Sequence, residues 1–302
     1  MSRLHADEIT LTADQAAAHV AQVFPQFSGR PLHRVASAGT DNTLFRIGSD
    51  HCLRLPRRPE AGQTLLREAA ILPGLGALPL QTPQCLSLAD GTEAFPWPSA
   101  VFGWIAGAAA DGQELRDEVR HACALGEFVR QARSIEAGHI PPAGPGNHFR
   151  GAALSTRDDP LRRACANLDD LYDTNALLKI WERALAMPSH AGPPNLVHGD
   201  LHPGNLLMRE GRLAAVIDWG LSGAGDPAVD GTPAWSVFSG PARAAFLEAA
   251  ELDRPAVVRA KAWALSIAAI ALAYYRNSHP PLARQSRITI EAVLDDDVFP
   301  LA

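Results

Sequence analysis

The sequence predicts an α+β chain of two lobes. Residues 1–106 form a small N-terminal lobe with a five-stranded antiparallel sheet and one packed helix; residues 107–302 form a larger, mostly helical lobe. Three observations carry this reading. Short apolar runs bounded by turn residues crowd the first hundred positions. After Gly107 the apolar residues recur at spacings of three and four. A loop-like run near residue 200, His198-Gly199-Asp200-Leu201-His202-Pro203-Gly204-Asn205, concentrates polar side chains between helical stretches.

The elements follow in chain order. Thr12 with Gln15 is a capping-box pair, so a helix covers residues 13–24 and stops before Pro25. Residues 32–37, 43–47 and 52–55 read as three strands, separated by residues 38–42 and by Gly48-Ser49-Asp50. A helix over 61–72 presents Leu65, Leu66, Ala69, Ile71 and Leu72 on one face, and strands at 84–88 and 99–104 complete the sheet. In the second lobe, residues 114–135, 160–171, 175–186 and 254–276 carry helical periodicity. Residues 138–151, with three prolines, read as a linker.

The chemistry lies in three residues. Asp200 and Asn205 stand five positions apart, and Asp218 opens Asp218-Trp219-Gly220 thirteen residues after Asn205. Apolar-rich residues 206–209 and 212–217 flank Glu210-Gly211, which reads as a hairpin turn. Pairing about that turn sets Asn205 opposite Val216 and returns Asp218 to the same end. A hard cation such as Mg2+ takes oxygen ligands at roughly 2 Å and keeps several waters. One carboxylate, Asp218, one amide oxygen, Asn205, and phosphate oxygens therefore suffice. Asp200 is left to receive a hydroxyl proton, and the set reads as a phosphoryl-transfer site. Singly, these residues would also serve as a turn cap, a backbone partner and a strand end.

These residues carry a resemblance. The 198–205 run, Ile217 to Gly220, and Gly225-Asp226-Pro227-Ala228-Val229-Asp230 resemble the motifs of the aminoglycoside phosphotransferase family, whose fold is similar to that of protein kinases. The likeness extends through Ala38-Gly39-Thr40-Asp41-Asn42, Leu53-Arg54-Leu55-Pro56-Arg57 and Phe95-Pro96-Trp97-Pro98, and so covers most of the chain. It implies a bilobal protein-kinase-like fold and Mg2+-dependent transfer of the γ-phosphate of ATP or GTP to a small-molecule hydroxyl. It also implies a phosphate-covering loop, in which Gly39, Thr40 and Asn42 offer backbone and hydroxyl donors. The family's usual phosphate-binding Lys is missing, since the only lysines, Lys179 and Lys261, lie in the second lobe. Arg54, with Glu68 as its helix partner, is the best occupant, and Arg57 and Arg58 are alternatives. Arginine keeps the charge but changes the geometry. By the same resemblance the Gly103 carbonyl and the Ile105 N–H meet the nucleobase, and His202 stands where protein kinases have Lys, near the γ-phosphate. His198 packs and fixes the loop, while Asp226 and Asp230 orient backbone and cap the next helix.

Composition narrows the partners. The net charge of −6 and the lack of basic runs argue against nucleic acid. Cys52, Cys85, Cys123 and Cys165 are widely spaced and suit reduced thiols. The acidic N-terminus lacks the pattern of a signal peptide, which leads to the expectation of a cytoplasmic protein. The longest apolar stretch, 262–275, is too short to span a bilayer and reads as a core helix. Residues 1–106 hold 8 basic and 9 acidic residues, and 107–302 hold 19 and 24. That excess of acid suits a cationic acceptor such as an aminoglycoside, although solvated helix faces produce the same excess. The alternatives are a housekeeping kinase for an amino alcohol, sugar or homoserine, and a non-catalytic nucleotide-binding protein. The sequence leaves monomer and homodimer both open.

Overall fold

The computed structural model describes residues 8–35, 41–110, 115, 118–138 and 140–296. The expected capping box forms: Thr12 Oγ1 accepts from the Gln15 N–H at 3.2 Å, and Gln15 Oε1 accepts from the Thr12 N–H at 2.9 Å. A cap of this kind contributes about 1 kcal/mol and starts helix α1, Ala13–Val23. Ala16 and Val20 of α1 join Phe45, Ile47, Leu53 and Val101 in one buried apolar cluster.

Those partners belong to a five-stranded sheet of β1 (Leu32–Arg34), β2 (Asn42–Ile47), β3 (His51–Pro56), β4 (Cys85–Ala89) and β5 (Ser99–Gly103). Its order is β1-β2-β3-β5-β4, and every neighbouring pair is antiparallel. The alternation of β2, with Thr43, Phe45 and Ile47 buried, fixes its register, because a one-residue slip would turn that set to the opposite face. Helix α2 (Pro59–Ile71) connects β3 to β4 and begins two residues before the predicted 61. Pro59 occupies the first helical position, where a missing N–H costs nothing.

Leu65, Ile71, Leu72, Leu75 and Leu80 belong to the larger cluster that runs on through the second lobe. The chain enters that lobe by β6 (Ala108–Ala109), which pairs with β8 (Leu206–Arg209). Helices α3 (Val119–Ala132), α4 (Asp158–Ala166) and α5 (Thr174–Leu185) lie inside or overlap the predicted helical stretches. Strands β7 (Asn195–Val197), β9 (Arg212–Val216) and β10 (Gly223–Gly225) follow, then the helices α6 (Pro233–Ser236), α7 (Gly240–Ala249), α8 (Arg254–Tyr275) and α9 (Pro280–Leu294).

Helices α7 and α9 were absent from the sequence reading. Pro280-Pro281 reads as a break, yet proline at a first helical position starts a helix, and His279 Nδ1 caps it by accepting from the Leu282 N–H at 3.3 Å. Helix α8 matches the predicted 254–276 to within one residue, and so runs beyond the 14-residue apolar stretch that looked too short for a bilayer. At 22 residues it is, among the described residues, the one helix long and apolar enough to cross a bilayer. It is packed as a core helix instead: 72% of its apolar window is buried, and Arg259 and Lys261 are buried along it. All four cysteines are unpaired.

Residues 138–151 are a support rather than a linker. The Ala143 N–H donates to Ala224 O and the Ala224 N–H to Pro141 O, both at 2.9 Å. Asn147, fully buried, donates from Nδ2 to Arg150 O at 2.9 Å and to Leu221 O at 3.1 Å.

Candidate active site

The 198–205 loop is held from below by Asp230. Its carboxylate accepts from the N–H of His198 at 2.7 Å and of Gly199 at 2.8 Å. Gly199 adopts φ +79°, and a Cβ there would lie 2.6 Å from Leu221 O and 2.9 Å from Arg150 Cβ, so only glycine fits. His198 is completely buried. Its Nε2–H donates to Ile217 O at 3.1 Å, its Nδ1 accepts from the Asp200 N–H at 3.2 Å, and its ring meets Trp219 edge-on at 4.7 Å. Burial pulls its pKa down to about 4, so the ring is neutral and structural.

Asp200, half-buried, stands above this base. Asn205 Nδ2 donates to Asp200 O at 2.9 Å and to Oδ2 at 3.3 Å; His202 Nε2 lies 3.6 Å from Oδ2 and Arg150 Nη2 lies 3.7 Å from Oδ1. Burial opposes its ionisation, but His202, Arg150, His198 and the Asn205 amide together hold the carboxyl below its ordinary value. His202 also accepts from the Gly204 N–H through Nδ1 at 3.1 Å, which sets the tight turn Pro203–Asn205.

The hairpin forms about Glu210 and Gly211, both at positive φ (52° and 68°), as its two-residue turn requires. Its register departs from the expected one. A bulge gives β9 one residue more than β8, so Leu206 pairs with Val216 and Leu207 with Ala215, while Met208 pairs with Leu213. Ala214 is the extra residue, and its carbonyl takes the Gln81 N–H at 3.0 Å. Asn205 therefore lies opposite Ile217, whose N–H donates to Asn205 O at 2.9 Å, rather than opposite Val216. Asp218 follows directly.

Asp218 occupies the left-handed region, φ +66°, a conformation that costs a non-glycine residue energy and clusters at functional sites. Burial pushes its pKa up; Arg54 pulls it down, and the like charges of Asp200 and Asp41 push it up further. Among the described residues no hydrogen bond or ion pair engages its carboxylate, and none engages Asn205 Oδ1. An under-compensated carboxylate beside an uncommitted amide oxygen fits a hard divalent cation. Among the described residues there is no cluster of three or more His, Cys, Asp or Glu that could hold a metal by itself, so phosphate and water oxygens would complete the shell.

Arg54 and Glu68 form a buried ion pair, and the Arg54 guanidinium lies over the Phe102 ring at 4.6 Å. Burial works against the Arg54 charge, yet Glu68 and Asp218 raise its pKa above the ordinary value. Glu68 Oε1 also accepts from the Trp219 N–H at 3.3 Å, so one carboxylate couples strand β3, helix α2 and the Asp218 turn. At the hinge, the Gly103 N–H donates to Gln84 O and the Trp104 N–H to Asp50 O, while the Ile105 N–H has no backbone partner among the described residues. Asn42 opens β2 with its Oδ1 buried and unpartnered, and among the described residues no hydrogen bond joins it to Asp200 or Asp218. Gly39 and Thr40 lie outside the described residues.

Arg150 is the residue that sequence reasoning missed. It sits in the supposed linker, and its approach to Asp200 depends on the Asn147 bonds that close that segment. Asp226 and Asp230 have the expected backbone roles: Asp226 accepts from the Ala228 N–H at 3.0 Å and also pairs with Arg259 at 2.7 Å.

A family model described as the phosphotransferase enzyme family matches residues 33–262. Three solved structures are similar over nearly the whole chain. The GDP and kanamycin complex of APH(2")-IIia shares 16% identity at a TM-score of 0.71, covering 92% of this chain and 97% of that one. The gentamicin complex of APH(2")-IIa shares 19% at 0.63, covering 95% and 99%. The apoenzyme of macrolide 2'-phosphotransferase MphH from Brachybacterium faecium shares 20% at 0.62, covering 94% and 98%. At such identities the likeness is one of fold. No curated protein matches the chain in sequence.

Proposed function

Because the chain belongs to the phosphotransferase enzyme family, we propose that it moves the γ-phosphoryl group of ATP or GTP to a hydroxyl of a small molecule, with Asp200 receiving the hydroxyl proton. The observation that carries this reading is the juxtaposition of Asp200 and Asn205 through a side-chain hydrogen bond, one hairpin end away from Asp218. Asn205 Oδ1 and the Asp218 carboxylate would hold Mg2+, which when bound offsets charge on the β- and γ-phosphate oxygens.

The protein's own groups do the rest. Asp200, held ionised, accepts a hydrogen bond from the acceptor hydroxyl and aims its oxygen at phosphorus. As the new O–P bond forms and the β–γ bridge bond breaks, the hydroxyl grows acidic and its proton passes to Asp200. Arg54, fixed by Glu68 and Phe102, supplies positive charge for the phosphates. The nucleotide leaves as the diphosphate.

The kanamycin and gentamicin of two neighbours support an aminoglycoside-type acceptor. The metabolite alternative is favoured by Arg150, whose guanidinium stands 3.7 Å from Asp200. The test is γ-phosphoryl transfer from Mg·ATP and Mg·GTP to aminoglycosides, macrolides, amino alcohols, sugars and hydroxy acids. Transfer that persists in Asp200→Ala overturns the assignment of the base, and absence of transfer or hydrolysis with every substrate favours a non-catalytic nucleotide-binding protein.

A further inference from the structure

On the Oδ1 side of Asp200 the protein concentrates positive charge that its own acids leave unmatched. Arg150 arrives there on a strained stretch, with His148 and Phe149 both at positive φ, 52° and 59°. Its methylenes pack on Gly199 and only 9% of the residue is exposed. Its Nε and Nη1 are buried without a hydrogen-bond partner, and Nη2 reaches only to 3.7 Å from Asp200 Oδ1, beyond direct hydrogen-bond range. Buried donors of this kind are rare and call for a partner.

Arg157 belongs to the same wall. Its Nη1 donates to His148 O at 3.3 Å and its Nε to Ser266 Oγ at 3.4 Å, and among the described residues no carboxylate lies within 4 Å of it. Burial and the neighbouring charge of Arg150 bring its pKa down to about 10, and burial lowers Arg150 against the pull of Asp200 and Asp230. The acids nearby are engaged elsewhere: Asp230 by two backbone N–H groups, Asp226 by Arg259, Asp41 by Arg58 at 3.2 Å. The acidic excess of the second lobe sits on exposed helix faces, at Asp159, Glu182 and Glu248, and on an exposed turn, at Asp169 and Asp170. It does not reach this wall.

We propose that Arg150 and Arg157 form an anion-binding subsite beside Asp200, and that the acceptor carries a carboxylate or phosphate group close to the hydroxyl it presents. The second clause rests on the transfer reading; the subsite itself does not. Loss of a charge-assisted hydrogen bond to a bound anion costs on the order of tenfold or more in affinity.

Calorimetric titration of sulfate, and separately of D-glycerate, into the protein saturated with Mg2+ and a non-hydrolysable ATP analogue tests it. One saturable anion per chain is expected, weakened about tenfold or more in Arg150→Gln and Arg157→Gln, partly kept in Arg150→Lys, and unchanged in Arg162→Gln on the exposed face. Sulfate binding stronger than glycerate binding assigns a phosphate group, and the reverse a carboxylate. Absent binding, or binding indifferent to both arginines in variants whose thermal melts match the parent, overturns the subsite. Anion binding abolished by the analogue assigns the arginines to nucleotide phosphate and overturns the acceptor clause. Failure of the analogue itself to bind, with sulfate still bound to the nucleotide-free chain, sinks the transfer reading and leaves the subsite standing.

Discussion

Asp200 and Asp218 stand at neighbouring ends of the same hairpin assembly, both half-buried, and the protein treats them in opposite ways. Around Asp200 it places His202, Arg150 and the Asn205 amide, and the carboxyl is held below its ordinary value. Around Asp218, beside a strained backbone, burial pushes the carboxyl up, Arg54 pulls it down, and the like charges of Asp200 and Asp41 push it up again. One acid is completed by the fold; on the proposed reading a cation would complete the other. Burial works against the charge of both, and the two acids differ in the neighbours that offset it.

The largest effect should come from removing the completed acid. Asp200→Ala should lower turnover by roughly a thousandfold while Mg·nucleotide affinity, measured by calorimetry, stays within a few-fold. A parallel collapse of affinity would show that the two acids do not divide the work. Deletion of Ala214 attacks the spacing between them. With Ala214 gone the strands pair without a bulge and Asn205 still faces Ile217, but the kink and the Gln81 tie are lost, and the resulting misplacement of Asp218 should cost about a hundredfold in turnover with the hairpin retained by circular dichroism. Wild-type turnover in that variant would mean that the bulge does not set the site. Asp218→Ala should then weaken Mg2+-dependent nucleotide binding by at least the roughly 10–100-fold that lesser changes at metal sites cause. An unchanged Mg·ATP titration eliminates Asp218 as a ligand.

The smallest expected change is in the parent protein's response to acid, because two buried groups beneath Asp200 oppose each other. His198, at about 4 in the fold against an ordinary 6.5, contributes stability that is complete above pH 6.5 and drains as pH falls through 4. Asp230, at about 6 against 3.8, contributes stability that is complete below 3.8 and is lost as pH rises through 6. Each shift corresponds to about 3 kcal/mol, and between pH 6.5 and 4 they nearly cancel. Asp230→Asn should uncover the His198 loss, so its melting temperature should fall more steeply across that window than the parent's. Parallel melting curves would remove both assignments.

What could be read from the sequence was local. The capping box of α1, the presence of the five sheet strands and the Asp200, Asn205, Asp218 spacing each depend on residues a short distance apart, where periodicity and turn chemistry act directly. The pairing of Arg54 with Glu68 was accessible through resemblance. The extra residue in β9 was not, since Ala214 differs from its neighbours only in facing Gln81. Arg150 was hidden for a related reason. A buried Asn147 closes a proline-rich segment onto strands seventy residues later, and nothing in the segment's composition announces that.

The grip of Asp230 on His198 and Gly199 has a consequence for synthesis of the chain. Its bonds span 32 and 31 residues. At about 5–20 residues per second, the base loop leaves the ribosome roughly 2–6 s before the group that sets it. For that interval the nascent protein holds all five strands of the first sheet and the Arg54–Glu68 pair, but not the carboxylate that sets the backbone of His198 and Gly199. The loop that carries Asp200 therefore takes its shape only after the strands it stands beside have been made.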